Sequence, residues 1–210
     1  MRRYLIPMVL LTVCCCGLVR ALPPYTSTVS KVTTANLRMA TDDILQHKPF
    51  EFENPNSYYW WHGLYCPEPF GLTDATSASG PVDDMFAMGQ DRQMSYRWDL
   101  GSVGPQGRRL DSITVTWAMF DSARNSIHLQ FYAHDASTRQ WQALTSPIVV
   151  AAEGNGANGH LNDGYWKVLT ITFEHAGAVT NFDALRMIDL NGAYTTRIVE
   201  VDACTYPNNR

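Results

Sequence analysis

Charge is scarce in this chain, and basic charge is scarcer still. Only 17% of its 210 residues are charged, with 16 Lys+Arg against 20 Asp+Glu. No cluster of Lys and Arg is present to track a phosphate backbone, which excludes nucleic acid as a partner. No Asn-x-Ser/Thr sequon occurs, so N-glycosylation is not expected. Long helical periodicity is missing, and beyond residue 21 no stretch is apolar enough to cross a membrane. The familiar catalytic patterns are also missing: no Gly-x-Ser-x-Gly elbow, no His-Glu-x-x-His pair and no phosphate-cradling glycine loop. The six His are scattered, and the acids fall mostly between apolar runs, so an enzyme is not expected. What is abundant excludes disorder, because 45% of the residues are apolar and 11% aromatic.

Residues 1–21 stand apart. Arg2 and Arg3 give a positive start, Leu5 to Val19 is uncharged and mostly apolar, and Val19-Arg20-Ala21 offers small residues where a signal peptidase reads. The run is about 15 residues, short of a bilayer span, and reads as a secretory signal peptide. The expected location is therefore extracellular. Without that segment, 13 bases face 20 acids, a net charge of −7. It also removes Cys14, Cys15 and Cys16, leaving Cys66 and Cys204. Two cysteines in an oxidising compartment usually pair, the alternative being two buried free thiols. A bridge would close a loop of 139 residues, worth roughly 4–5 kcal/mol on chain-entropy grounds.

The remainder divides at about residue 57. Residues 22–57 read as an N-terminal arm: Leu22 to Thr28 is Pro- and Thr-rich, and a short helix is expected near Thr41 to Gln46 with Thr41 as its cap. A propeptide, a linker or a clamp on the domain are the roles open to it. From residue 58 to 210, period-two runs follow one another: Met94 to Trp98, Leu110 to Trp117, Ile127 to Phe131, Trp141 to Val150, Trp166 to Phe173, Ala184 to Leu190 and Thr196 to Ala203. Turn residues separate them. Such spacing predicts a single all-β sandwich or barrel. Trp98 and Trp117 are assigned to its core, Trp166 is ambiguous, and His128 falls on a polar phase.

The order of several short motifs is distinctive. Ala75-Thr76-Ser77-Ala78-Ser79 precedes Asp84-Met85-Phe86, then Trp98-Asp99-Leu100-Gly101, then Leu110 to Trp117. Ile127 to Asp135 and Trp141 follow, and Arg197 to Val201 lies just before Cys204. This order resembles the discoidin family, the coagulation factor 5/8 type C domains and the related galactose-binding-like carbohydrate-binding modules. The resemblance spans Cys66 to Cys204. It implies an antiparallel β-sandwich of jelly-roll type, a core position for Trp141, a disulfide between Cys66 and Cys204, and non-catalytic recognition of cell-surface or matrix carbohydrate by loops at one end. In several relatives a turn at the position of Phe86 to Asp91 lies beside a calcium ion. Here Ala87 replaces a ligand, and Asp83, Asp84 and Asp91 read as a solvated acidic loop. No cofactor or metal is therefore expected, calcium being the one ion that these acids would suit.

Sugar recognition needs a flat ring to stack on a pyranose and planar polar groups to pair with its hydroxyls. Three segments carry them, and the candidate carbohydrate-binding residues are Arg92, Phe120, Arg124, Asn158 and His160. Phe120 for stacking and Arg124 for hydrogen bonding are the leading pair. A second feature is the aromatic run at Tyr58, with Tyr59, Trp60, Trp61 and His62 as a candidate interaction patch. Adjacent strand residues alternate sides, so part of this run would face outward unless the arm covers it. It supports the alternative function, a protein-interaction or adhesion module. Membrane-lipid binding ranks third, because a net charge of −7 repels acidic headgroups.

Overall fold

The computed structural model describes residues 21–33, 42–46, 48–53, 86–87, 94–101, 108–119, 126–151, 165–174, 179–190 and 196–207. The described residues form strands and turns, with no helix among them. Eleven strands follow in order: β1 (Tyr25–Thr33), β2 (Phe50–Phe52), β3 (Phe86–Ala87), β4 (Met94–Asp99), β5 (Arg108–Met119), β6 (Ser126–Asp135), β7 (Gln140–Ala143), β8 (Ile148–Ala151), β9 (Tyr165–Phe173), β10 (Phe182–Asp189) and β11 (Thr196–Pro207). One sheet has the order β1-β9-β5-β11-β3. The other has the order β2-β4-β10-β6-β7, with β8 also paired to β6. All pairings are antiparallel. From β8 onward successive strands alternate between the sheets, as the chain does from β3 to β6, the crossing pattern of a jelly-roll sandwich.

Period-two patterning makes the sandwich. In the smaller sheet Ile113, Val115, Leu169, Ile171, Val201 and Ala203 point inward. In the larger sheet Trp98, Leu185 and Ala133 make one inward row and Tyr96, Met187 and Phe131 the next. Burying each large apolar side chain contributes about 1.5–3 kcal/mol. Trp98 is 1% exposed, as its apolar phase predicts. Its ring, with Tyr96 and Phe50, forms an aromatic group with centroids 5.9–6.5 Å apart. The side chains of Trp117 and Trp166 lie outside the described residues. The run expected from Trp141 to Val150 is two strands, because Pro147 has no N–H for a ladder and breaks it. The Asp99-Leu100-Gly101 strand end has a physical cause: the Asp99 carboxylate accepts the Gly101 N–H at 2.8 Å, with Gly101 at φ +85°.

The described parts of residues 22–53 differ from a loose arm. β1 pairs with β9 through nine consecutive residues, and β2 pairs with β4. Tyr25 packs against Phe173, and its hydroxyl accepts the Ser146 N–H of the other sheet at 3.2 Å. Residues 42–46 form turns in place of the expected helix and lie along β11 beyond the short β3. Ile44 N–H donates to Ala203 O at 2.9 Å, and Ala203 N–H donates to Asp43 Oδ1 at 2.7 Å. Leu45 N–H also donates to Asp43 Oδ1, which bends the chain and drives Leu45 into the core at 1% exposure. These described parts pair with both sheets, with β-branched Thr and Val supplying β1 where a Thr-rich arm was expected. A Leu45→Ala variant is expected to lose about 2–5 kcal/mol in urea unfolding. An unchanged midpoint would return this segment to a dangling arm.

Candidate functional site

The register gathers many strand ends at one end of the sandwich. Asp189 pairs with Met94 and with Leu129, so the end of β10 meets the starts of β4 and β6. Ser126 pairs with Ala151, bringing the end of β8 there. In the other sheet Thr196 pairs with Met119, Arg197 with Ala87, and Trp117 with Lys167. Hence Ala87 and Met94, Met119 and Ser126, and Ala151 and Tyr165 are three bracketing pairs at that end. Between them lie the segments with Arg92, with Phe120 and Arg124, and with Asn158 and His160. These five residues lie outside the described residues. So do Tyr59, Trp60, Trp61 and His62, together with Cys66 and the acids Asp83, Asp84 and Asp91.

A second concentration of polar and aromatic groups occupies the outer face of the larger sheet, toward the opposite end. With Leu129, Phe131 and Ala133 inward, Tyr132 and His134 face outward, and cross-strand pairing sets Arg97 beside Arg186 and His134 beside Trp141. Glu53 holds Arg186 through Oε2 to Nε at 2.5 Å and Oε1 to Nη2 at 2.6 Å. Ser95 Oγ donates to Glu53 Oε2 at 2.7 Å, fixing the carboxylate. The Arg186 guanidinium then lies 3.8 Å from the Trp141 ring centre, and His134 meets the same ring edge-on at 5.1 Å. Trp141 is therefore half-buried on this face, which corrects its assignment to the core. The cause is register: it faces His134 on the outward phase of β6. That phase was readable in the sequence, but the partner strand was not.

The neighbouring β6–β7 turn is pinned on both sides. Asp135 Oδ1 accepts the N–H groups of Ser137 and Thr138, and Gln142 donates to Asp135 Oδ2 at 2.6 Å. Asp183 accepts from His134 Nδ1 at 2.5 Å and from Arg139 Nη1 at 2.8 Å. Asn181 Nδ2 donates to Ser137 Oγ, and Ala136 N–H donates to Asn181 O at 3.0 Å. The turn is thus a fixed wall beside Trp141.

On the strap side, Asp43, Glu200 and Asp202 each offer a carboxylate oxygen, all within 4.8 Å of one another. Burial pushes Asp43 above the ordinary carboxylate range, offset in part by the N–H groups of Ala203 and Leu45. This all-oxygen donor set suits a hard cation such as calcium, and three carboxylates cover part of the six to eight ligands that ion takes. Cys204, in the same stretch of β11, carries a free thiol in this structure, and its expected partner Cys66 lies outside the described residues. Burial pushes that thiol up to about 11, with Ser112 opposing and Asp202, Asp43 and Asp111 adding to the rise.

The chain matches no protein-family model and no curated protein. Three solved carbohydrate-binding modules resemble it. CpGH89CBM32-5 from Clostridium perfringens, solved with GalNAc-β-1,3-galactose, is 10% identical over 83% of this chain and 99% of its own, with a TM-score of 0.42. A pectin-binding module is 11% identical over 73% and 87%, with a TM-score of 0.41. Chitosan-binding module 1 of a chitosanase/glucanase from Paenibacillus sp. IK-5 is 18% identical over 77% and 97%, also at 0.41. Likeness at this level does not determine a ligand.

Two outcomes are expected from these contacts. In the reduced, folded protein, iodoacetamide at pH 8 should label Cys204 roughly a hundredfold more slowly than an ordinary thiol, and rapid labelling would contradict its buried, acid-lined setting. Replacing Asp183 by Ala should cost about 1–3 kcal/mol, read by urea unfolding, because it leaves the His134 donor without its acceptor.

Proposed function

We propose that the protein is a secreted, non-catalytic recognition module that binds carbohydrate at a cell surface or matrix. The observation that carries this reading is the common end shared by the strand termini around three segments. Those segments hold a stacking ring in Phe120 and planar or charged hydrogen-bonding groups in Arg92, Arg124, Asn158 and His160. Residues far apart in sequence would thereby converge on one sugar. The rigid sandwich beneath them supplies the fixed geometry that stacking and paired hydrogen bonds require.

In this reading Phe120 stacks on the apolar face of a pyranose while Arg124 and Arg92 donate to its hydroxyl oxygens. Asn158 both donates and accepts, and His160 closes the ring of contacts. The reading requires no cofactor. Calcium, where bound, would be held by Asp43, Glu200 and Asp202, and would tie the strap to β11 on the sandwich side. A Cys66–Cys204 bridge belongs to the same reading.

A glycan array with the chain from Leu22, run with and without a chelator, tests it. Selective binding to one sugar class is expected, reduced about tenfold or more in Phe120→Ala and in Arg124→Ala and unchanged by the chelator. A blank array from a folded protein would overturn the carbohydrate reading. Weight would then move to a protein partner, with Tyr59, Trp60, Trp61 and His62 as the surface to mutate.

A further inference from the structure

The two sheets end in edges of unequal length. β3 closes one edge of the smaller sheet with two residues, and β2 closes one edge of the larger sheet with three. β1 closes the other edge of the smaller sheet with nine residues, in an unbroken register against β9. An edge strand is a template for another strand, and natural edges are blunted by shortness, an internal proline or a bulge. β1 has none of these, since Pro23 and Pro24 precede it. Among the described residues, no strand pairs with its outer side.

One hydrogen bond fixes which groups face that open side. Glu174 N–H donates to Pro24 O at 2.9 Å, so Pro24 and Glu174 are a hydrogen-bonded pair of this ladder. Antiparallel pairs alternate, so Thr26, Thr28, Ser30 and Val32 turn their N–H and C=O groups toward β9. Tyr25, Ser27 and Val29 turn theirs toward the open edge. Val29 stands at the middle of the strand and is 49% exposed. It also ends an apolar row that begins in the core. Val201, Val115 and Leu169, each at most 1% exposed, pair in turn toward Val29. The row stops at the sheet edge with apolar surface still in water.

We propose that β1 is a dimer interface, where a second copy of this chain adds its own β1 antiparallel about a two-fold axis at Val29. Edge-directed residues must face edge-directed residues, so the axis passes through a residue and not between two. At Val29 all nine residues overlap, and Val29 meets Val29 of the other copy, joining the two apolar rows. Lys31, the one charge of the strand, then falls opposite Ser27. The two lysines stand roughly 13 Å apart along the strands, beyond a screening length of about 8–10 Å. An axis at Ser30 would face Val29 with Lys31 and halve that separation, and one at Thr28 would face Val29 with Ser27. This self-complementarity about one axis selects a second copy over an unrelated strand. The axis is normal to the sheet and reverses the strands, so the loop-bearing ends of the two copies point in opposite directions. The pairing stands without the carbohydrate reading. Where that reading holds, the dimer bridges two glycan surfaces and gains no avidity on one.

Sedimentation of the chain from Leu22 over about 1–300 μM tests the pairing. The mean mass is expected to rise from one chain toward two, with a midpoint of about 10–100 μM, because a single strand pair is smaller than a standard interface. Val29→Pro should hold it at one chain throughout. It removes an edge-directed N–H and no bond to β9, so the thermal midpoint should stay within a few degrees. Val29→Glu sets like charges opposite each other at the axis and should also give one chain. Under oxidised glutathione, Val29→Cys should form a disulfide-linked dimer, since facing Cα atoms of a hydrogen-bonded pair lie about 5.5 Å apart. Thr28→Cys should not, because its two copies stand beyond the limit of about 7 Å. A wild-type chain that stays single at the highest concentration overturns the proposal. So does a dimer that persists in Val29→Glu, or cross-linking of Thr28→Cys equal to that of Val29→Cys. Should Val29→Pro unfold, Val29→Glu carries the test, its position being exposed. A dimer with a blank glycan array keeps the pairing and removes the bridging role.

Discussion

The β5–β11 ladder is the constraint on which the rest of the structure depends. It is the longest pairing among the described residues, running from Thr196 opposite Met119 to Pro207 opposite Arg108. Its register sends Val201 and Ala203 into the core and leaves Glu200 and Asp202 toward the strap. β9 joins the other side of β5, and β1 then adds to β9. A slip of one residue in β11 would turn the buried acids Glu200 and Asp202 from the strap side into the apolar core and turn Val201 and Ala203 out of it, so the alternation itself holds the register. The two bulges, near Ile198 and Cys204, take up the curvature without changing that outcome at Val201.

The strap gives β11 a second partner. β3 covers only Arg197 and Ile198, so most of that edge of β11 would otherwise be open. Two hydrogen bonds stand in for a strand there: Ala203 N–H donates to Asp43 Oδ1, and Ile44 N–H donates to Ala203 O, while Leu45 N–H to Asp43 closes the turn itself. Polar closure at the edge and apolar closure by Leu45 inside are parts of one turn. The same economy recurs at β6–β7, where a short turn is held by Asp135 within and by Asn181 and Asp183 from the next strand.

Much of the sandwich could be read in advance wherever one strand face is buried and the other is polar. β4, β5, β6, β9, β10 and β11 all fall on runs with clear alternation, and Trp98 followed its phase into the core. Reading failed where the period is not set by burial. β1 is exposed from Thr26 to Lys31, so no apolar stripe marks it, and only β-branched Thr and Val betray a strand. β2 and β3 are too short to show a period. Trp141 departs from the core position that the resemblance implies, because its place opposite His134 turns it outward. The sheet-face group had no local signature at all: Glu53 and Arg186 are 133 residues apart, and only pairing brings them together. The proposed loop-end residues show the converse, with evident chemistry in the sequence and only their flanking strands described.

The pairing of these N-terminal residues has a consequence for how the chain reaches this state. β1 finds its partner about 140 residues later in the chain, and Asp43 finds Cys204 later still. Neither sheet can be completed from neighbouring segments, so closing these long loops must precede the contacts that reward it. An emerging chain therefore holds its first strands unpaired until the last ones exist. Assembly is all-or-none with respect to length, and a C-terminal truncation before β11 would leave the N-terminal strap with nothing to grip.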